Sequence, residues 1–220
     1  PWLVPSYEDA DKAMGGEGGR MLFDLVEANG IQPLAFGESG FRQVTNNKLP
    51  IVSPADMKGL KIRVPTIKMF IGLFTALGAD PTAINFGELF AALQQGTADG
   101  QENPPDVIAS ARVQEVQKYM TLWNASYDPI IMSASTRFWA KLSDEEKTVF
   151  LDAAKEAMDY QKQLSRAKNA ELIEEFKTKM EVLELTPEQI KAFRDAAKPV
   201  YDEYESIIGL ELLGAFGYTK

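Results

Sequence analysis

The stretch KGLKIRVP, residues 58–65, decides how this chain is read. Leu60, Ile62 and Val64 alternate with Lys61 and Arg63, the two-residue period of a β-strand with one apolar face. Just before it, Ser53-Pro54-Ala55-Asp56 reads as a one-turn helix start, and after it residues 66–77 read as a helix ended by Gly78. Asp80-Pro81-Thr82 leads to a short extended piece, and residues 86–95 are helical up to Gly96. Residues 98–103 (ADGQEN) form a strand running into a turn closed by Pro104, followed by a helix over 106–118 and extended runs over 120–123 and 130–133. Such alternation predicts an α/β fold with mostly parallel pairing.

Upstream, residues 6–29 read as one helix with Ser6 and Asp9 at its cap and Met21, Leu22, Leu25 and Val26 as its stripe, closed by Gly30. A buried strand over 31–36 (IQPLAF), a turn over 37–40 and a second strand over 41–45 (FRQVT) follow. The last third changes character. Ser143 and Glu146 make a capping box, and no Gly or Pro interrupts the chain from there to about Lys179. Phe150, Ala154, Ala157, Leu164, Leu172 and Phe176 give that helix an apolar face, and its length of ~50 Å suits either a bundle helix or a rod spanning two lobes. Thr186 to Gln189 caps a final helix carrying Phe193, Ala197, Val200 and Tyr201.

Composition narrows the chemistry. The 220 residues contain no cysteine and no histidine, which removes thiol catalysis, disulfides, Ser-His-Asp triads and the usual zinc and haem ligands. A net charge of −9 argues against nucleic acid as a partner, and an anionic ligand would need local cations. No segment approaches the roughly 18 uninterrupted apolar residues of a membrane helix. The opening PWLVPSYEDA lacks the basic and apolar regions of a signal peptide and an initiating Met, so either a leader has been removed or the chain is part of a longer one.

Arg63 is the first candidate, because a guanidinium fork on a rigid strand matches a carboxylate through two parallel hydrogen bonds. Its alternative is a surface arginine on the solvent side of a half-buried strand. Arg42, on the preceding strand, either points into the same space or lies in solvent. Asn103 with Glu102 beside it offers polar contacts at the ADGQENP turn, unless the loop merely bonds its own backbone. The rings of Phe86, Trp123, Tyr127, Phe138 and Trp139 stand near element ends, where they stack on a ligand or pack the core. The acids Asp144 to Glu146 belong to a helix first turn. Asp99 and Glu102 form a possible carboxylate pair for glycoside chemistry, with nothing else in the chain to support it.

Taken in order, FRQVTNNKLPIVSPADMKGLKIRVP (residues 41–65), LGADPTAINFGELFAALQQGTADGQENP (residues 77–104) and the long helix after LSDEEK resemble the extracytoplasmic solute receptors of TRAP transporters, the DctP-type periplasmic solute-binding family. The resemblance implies a two-lobed, type II-like α/β binding protein, with the long helix spanning both lobes and the N-terminal part of one lobe missing from this chain. It implies a lobe built from residues 1–39 and 129–169 and another from 40–128 and 170–220. It further implies that Arg63 forms the salt bridge to a ligand carboxylate, that Asn103 bonds the same end, that Arg42 adds a second cation and that Phe86 lines the pocket. Glu102, Trp123 and Tyr127 complete the expected ligand-binding set. The expected function is a periplasmic, non-enzymatic receptor that needs no cofactor or metal. It would deliver an organic acid to a TRAP membrane permease, a uronate or aldonate ahead of a C4-dicarboxylate or keto acid. A ligand-sensing module is the remoter alternative. Where many relatives carry a histidine, this chain reads WNASYDP (residues 123–129), which loosens any transfer of ligand identity.

Overall fold

Ser6 opens the first helix as its sequence suggests, its side chain accepting the Asp9 N–H at 3.1 Å. The computed structural model describes residues 1–219. The single helix expected over 6–29 is two, α1 (Tyr7–Gly15) and α2 (Glu17–Ala28), separated by an extended Gly16. The glycine-rich run explains the break, since a Cβ at Gly19 would fall 1.9 Å from the Met14 carbonyl oxygen. Two strands joined by a turn were expected over 31–45, whereas β1 (Ile31–Asn46) is one continuous strand of 16 residues. Likewise β5 (Tyr119–Ser135) absorbs both extended runs expected in that region. Gly37 and Gly40 read as the ends of a turn in the sequence, but they lie, like Pro129, in an antiparallel ribbon whose register shifts at Pro33/Ala35, Glu38/Gly40 and Arg42/Val44.

Between these long strands the chain makes β2 (Lys61–Val64), α3 (Lys68–Ala76), β3 (Asp80–Ala83), α4 (Leu89–Gln94) and β4 (Gly100–Asn103). The helix expected over 106–118 is shorter, α5 (Pro105–Ser110), because Arg112 takes a left-handed φ of 57° and a 3-10 turn follows. A short α6 (Thr136–Trp139) leads to α7 (Asp144–Phe176), whose 33 residues begin at the Ser143–Glu146 capping box. The parallel strand β6 (Glu181–Glu184) gave no clear signal in the sequence. The last expected helix is three, α8 (Pro187–Ala196), α9 (Lys198–Ile208) and α10 (Leu210–Ala215).

The sheet order is β3-β2-β4-β1-β5-β6. β1 is antiparallel to β4 and β5, while β2 pairs parallel with β3 and β4 and β5 with β6, so β1 alone runs against the others. One apolar cluster joins Ile62, Val64 and Val44 to Phe74 of α3, Trp123 of β5 and Phe193 of α8. A second joins Leu89 and Leu93 of α4 to Ile108, Met120, Leu172 and Phe176. Helices on both faces explain why Arg63, on the opposite pleat from Ile62 and Val64, is buried as well.

Candidate functional site

β2, β3 and β4 run parallel, with β2 at the middle of the three. The chain steps outward from β2 to β3 and then crosses back to β4, which makes the carboxyl ends of β2 and β4 a topological switch point. Arg63 is the penultimate residue of β2 and Asn103 the last of β4. Gln43 pairs with Asn103, so its neighbour Arg42 reaches the same level from β1, and Arg42 in turn pairs with Ser126 of β5. Four strands thus bring two arginines, a carboxamide and two carboxylates together.

Arg42 is 8% exposed and its fork is fully engaged within the protein. Nε and Nη2 donate to the two Glu102 carboxylate oxygens at 2.5 and 2.7 Å, while Nη1 donates to Asp128 Oδ2 at 2.5 Å. Nη2 also reaches the Glu102 carbonyl at 2.8 Å and Asn103 Oδ1 at 3.0 Å. The guanidinium lies over the Phe70 ring, 5.2 Å from its centroid. Arg42 was expected to offer a second cation to a ligand; within the protein its charge is matched by Glu102 and Asp128. Asn103 in turn donates to Gln101 Oε1 at 2.5 Å, and Gln101 Nε2 donates to Thr45 Oγ1 at 3.0 Å.

Arg63 differs from Arg42 in the one respect that matters. It is 3% exposed, its Nε donates to the Ile84 carbonyl at 2.8 Å, and among the described residues it enters no ion pair. Burial holds its pKa below the ordinary arginine value; the nearby Glu102 supports the charge and Arg42 opposes it. For Arg42, burial works against the charge, but Glu102 and Asp128 outweigh it and raise the pKa. Burial likewise pushes the Glu102 carboxyl up to about 7 against the pull of Arg42. Two cations and two carboxyls balance formally, and the Arg63 guanidinium is the one of the two cations that makes no ion pair among the described residues. A carboxylate is the group that fits it.

The remaining expected residues scatter. Phe86 stands half-exposed just beyond Ile84, the residue that Arg63 touches. Trp123 is a core residue: its ring meets Trp2 and Phe193 edge-on, and Nε1 donates to the Arg42 carbonyl at 3.1 Å. Tyr127 turns to the other side of the ribbon from Asp128, packs on Phe41 and donates its hydroxyl to Glu38 at 2.8 Å. Asp99 sits at the opposite end of β4 from Asn103, accepting the Lys61 N–H at 3.0 Å and pairing with Lys48 at 3.2 Å, so no carboxylate pair with Glu102 forms. No cluster of His, Cys, Asp and Glu suited to a metal occurs among the described residues.

Three residues that matter escaped the sequence reading. Asp128 completes the Arg42 cage, with a side chain 34% exposed. Gln43 fills a wide bulge in β5: its Oε1 accepts the Trp123 and Asn124 N–H groups at 2.9 and 3.3 Å, and its Nε2 donates to Asn124 Oδ1 at 2.7 Å. The third is Glu38, fully buried in the β1 bulge. It accepts from Arg166 Nε and Nη2 of α7 at 2.7 and 2.8 Å, and Arg166 also forks to Asp11 of α1. An adjacent Asp and Pro in a strand, or a Gln among polar neighbours, carries no local signal, because each partner lies more than 80 residues away.

A buried arginine outside any ion pair stands at the switch point of an α/β sheet, the place where such sheets hold ligands at their strand ends. The chain belongs to the DctP family, bacterial extracellular solute-binding protein family 7, whose model matches residues 1–207. It is 35% identical over 217 residues to the C4-dicarboxylate-binding periplasmic protein DctP of Rhodobacter capsulatus, covering 98% of this chain and 65% of that protein. A TRAP periplasmic solute-binding protein from Ochrobactrum anthropi, with its C-terminus bound in its ligand pocket, superposes with a TM-score of 0.92 at 44% identity. That match covers 98% of this chain and 68% of the other. Another, from Polaromonas and bound to D-erythronate, gives a TM-score of 0.91 at 38% identity, covering 100% and 72%. The fold is therefore that of the TRAP solute receptors, and no helix among the described residues is long and apolar enough to cross a membrane.

Proposed function

We propose that this protein is a periplasmic solute receptor that captures a small organic acid by its carboxylate and hands it to a TRAP membrane permease. The observation that carries the reading is the fork of Arg63, which makes no ion pair, beside Arg42, whose fork is taken up by Glu102 and Asp128. Arg63 grips the carboxylate and Asn103 bonds the same end. Phe86, half-exposed beyond Ile84, closes over the ligand. No bond in the ligand is made or broken.

A single free guanidinium favours one carboxylate per ligand. The partly exposed Asp128 is an acceptor for hydroxyl groups and a repulsive neighbour for a second carboxylate. Both features favour a hydroxylated monoacid, such as an aldonate or uronate, and the D-erythronate held by the Polaromonas protein is of this class. The second reading, a C4-dicarboxylate receptor, draws on the name of the Rhodobacter relative. The proposed lobes are 1–39 with 129–169 and 40–128 with 170–220, hinged where the ribbon register shifts at Glu38/Gly40.

Thermal shift of the full-length protein tests the reading, because a ligand that binds only the folded state raises its stability by ~2.7 kcal/mol at a hundredfold excess over Kd. D-Erythronate or D-glucuronate is expected to raise Tm and succinate to leave it unchanged. A response to succinate alone would transfer the assignment to dicarboxylates. Silence with all monoacids, diacids and keto acids would overturn the receptor reading.

A further inference from the structure

Two turns before the C-terminal end of α7, Asn169 is 3% exposed, and its carboxamide is divided between two distant segments. Oδ1 accepts the Asp106 N–H at 2.9 Å, in the first turn of α5 directly after Asn103-Pro104-Pro105. Nδ2 donates to the Ser39 carbonyl at 2.9 Å, inside the β1 bulge between Glu38 and Gly40. Gln161 and Ser165 also bond the bulge, through the Glu38 backbone and the Ser39 carbonyl. Among the described residues of α7, only Asn169 joins the bulge to the turn through its own hydrogen bonds; Ser39 also reaches the turn directly, its Oγ donating to Asp106 Oδ1 at a long 3.5 Å. Gly40 is shaped to its presence: its φ is +107°, and a Cβ there would lie 2.8 Å from Asn169 Nδ2 and 3.1 Å from Tyr7 Oη.

We propose that Asn169 is a positioning residue that couples the ligand turn to the hinge strand. The proposal rests on the receptor reading for its purpose, since the turn it holds begins at Asn103. A planar amide bonded in two opposite directions from a rigid helix cannot follow one segment without straining or breaking its bond to the other. Displacement of the turn by a bound acid therefore reaches the bulge at Glu38 to Gly40, and displacement of the bulge reaches the turn. Asn169 touches no ligand in this scheme.

Site-resolved hydrogen exchange of the ligand-free, full-length protein tests the coupling through a double-mutant cycle. Asn169→Leu is expected to speed exchange of the Asp106 amide tenfold or more. Gly40→Ala, which pushes on Asn169 from the hinge side, is expected to speed the same amide, and the double variant to be no faster than Asn169→Leu alone. As a control for general loosening, Thr121→Val removes a buried hydroxyl bond to the Ile51 carbonyl and is expected to leave the Asp106 rate relative to global opening unchanged. Should Asn169→Leu not fold, Asn169→Asp keeps the acceptor for Asp106 but not the donor to Ser39. In that background, with Ser39→Ala added to remove the direct Ser39–Asp106 bond, Gly40→Ala should no longer reach Asp106. An unchanged Asp106 rate in Asn169→Leu, effects that multiply in the double variant, or a persisting Gly40→Ala effect in Asn169→Asp with Ser39→Ala would overturn the proposal. Calorimetry of the wild type with D-erythronate and succinate keeps the two ideas apart: binding of neither weighs against those acids as ligands, while the exchange cycle still decides the coupling.

Discussion

A guanidinium buried without a counter-ion raises the free energy of the empty protein, and a carboxylate that meets it removes that cost. Arg63 holds this position, and Arg42 does not, although both were candidates from the sequence. The difference was illegible there because it depends on Asp128 and on the side-chain direction of Glu102, neither of which strand periodicity specifies. Glu102 also makes binding depend on pH. Its carboxyl sits near 7 through burial, so as pH falls from about 8 to about 6 it gains a proton, leaves Arg42 paired with Asp128 alone and makes the cluster one charge more positive. An anionic ligand raises that pKa further, so binding takes up protons and tightens as pH falls. Each unit of that further rise strengthens affinity about tenfold. Calorimetry with D-erythronate at several pH values should show this slope in the wild type and a flat profile in Glu102→Gln.

At the scale of elements, Leu60, Ile62 and Val64 announced β2 through alternation, and the Ser143 capping box announced the start of α7; both signals are local. The joining of β1 and β5 into one ribbon was not legible, because glycine and proline mark a turn and a bulge alike. Bulges shape this site. The insertion at Leu122 to Ala125 opposite Gln43 redirects β5 so that Asp128 meets Arg42, and the Gln43 amide satisfies the backbone groups exposed there. Gln43→Ala should therefore lower stability by about 2–3 kcal/mol by leaving the Trp123 and Asn124 N–H groups unpaired. Urea unfolding with an unchanged m-value would register that loss; a change under ~0.5 kcal/mol would mean that water replaces the amide without cost.

Across the whole molecule, the net charge of −9 repels the anionic ligand proposed for the site, so attraction is confined to the strand ends. α7 ties the parts together: Arg166 reaches both Glu38 in β1 and Asp11 in α1, and its guanidinium lies 4.5 Å from the Tyr7 ring centroid. The hydrogen bond from Arg166 holds the Asp11 carboxyl below its ordinary value. A depressed acid stabilises the fold above its unfolded pKa, and that contribution fades as pH falls through the folded one. Thermal melts between about pH 5 and pH 3 should thus fall less steeply in Asp11→Asn than in the wild type. Equal slopes would show that the pair does not contribute at this exposed edge.

The most direct measurement compares two arginine variants of the full-length protein for stability and for binding of D-erythronate, D-glucuronate and succinate. Arg42→Ala strips the buried Glu102 of its partner and should lower stability by about 3–5 kcal/mol. Arg63→Ala should melt no lower than the wild type, yet weaken binding of the recognised acid by on the order of 100- to 1,000-fold. Unchanged affinity in Arg63→Ala would contradict the account.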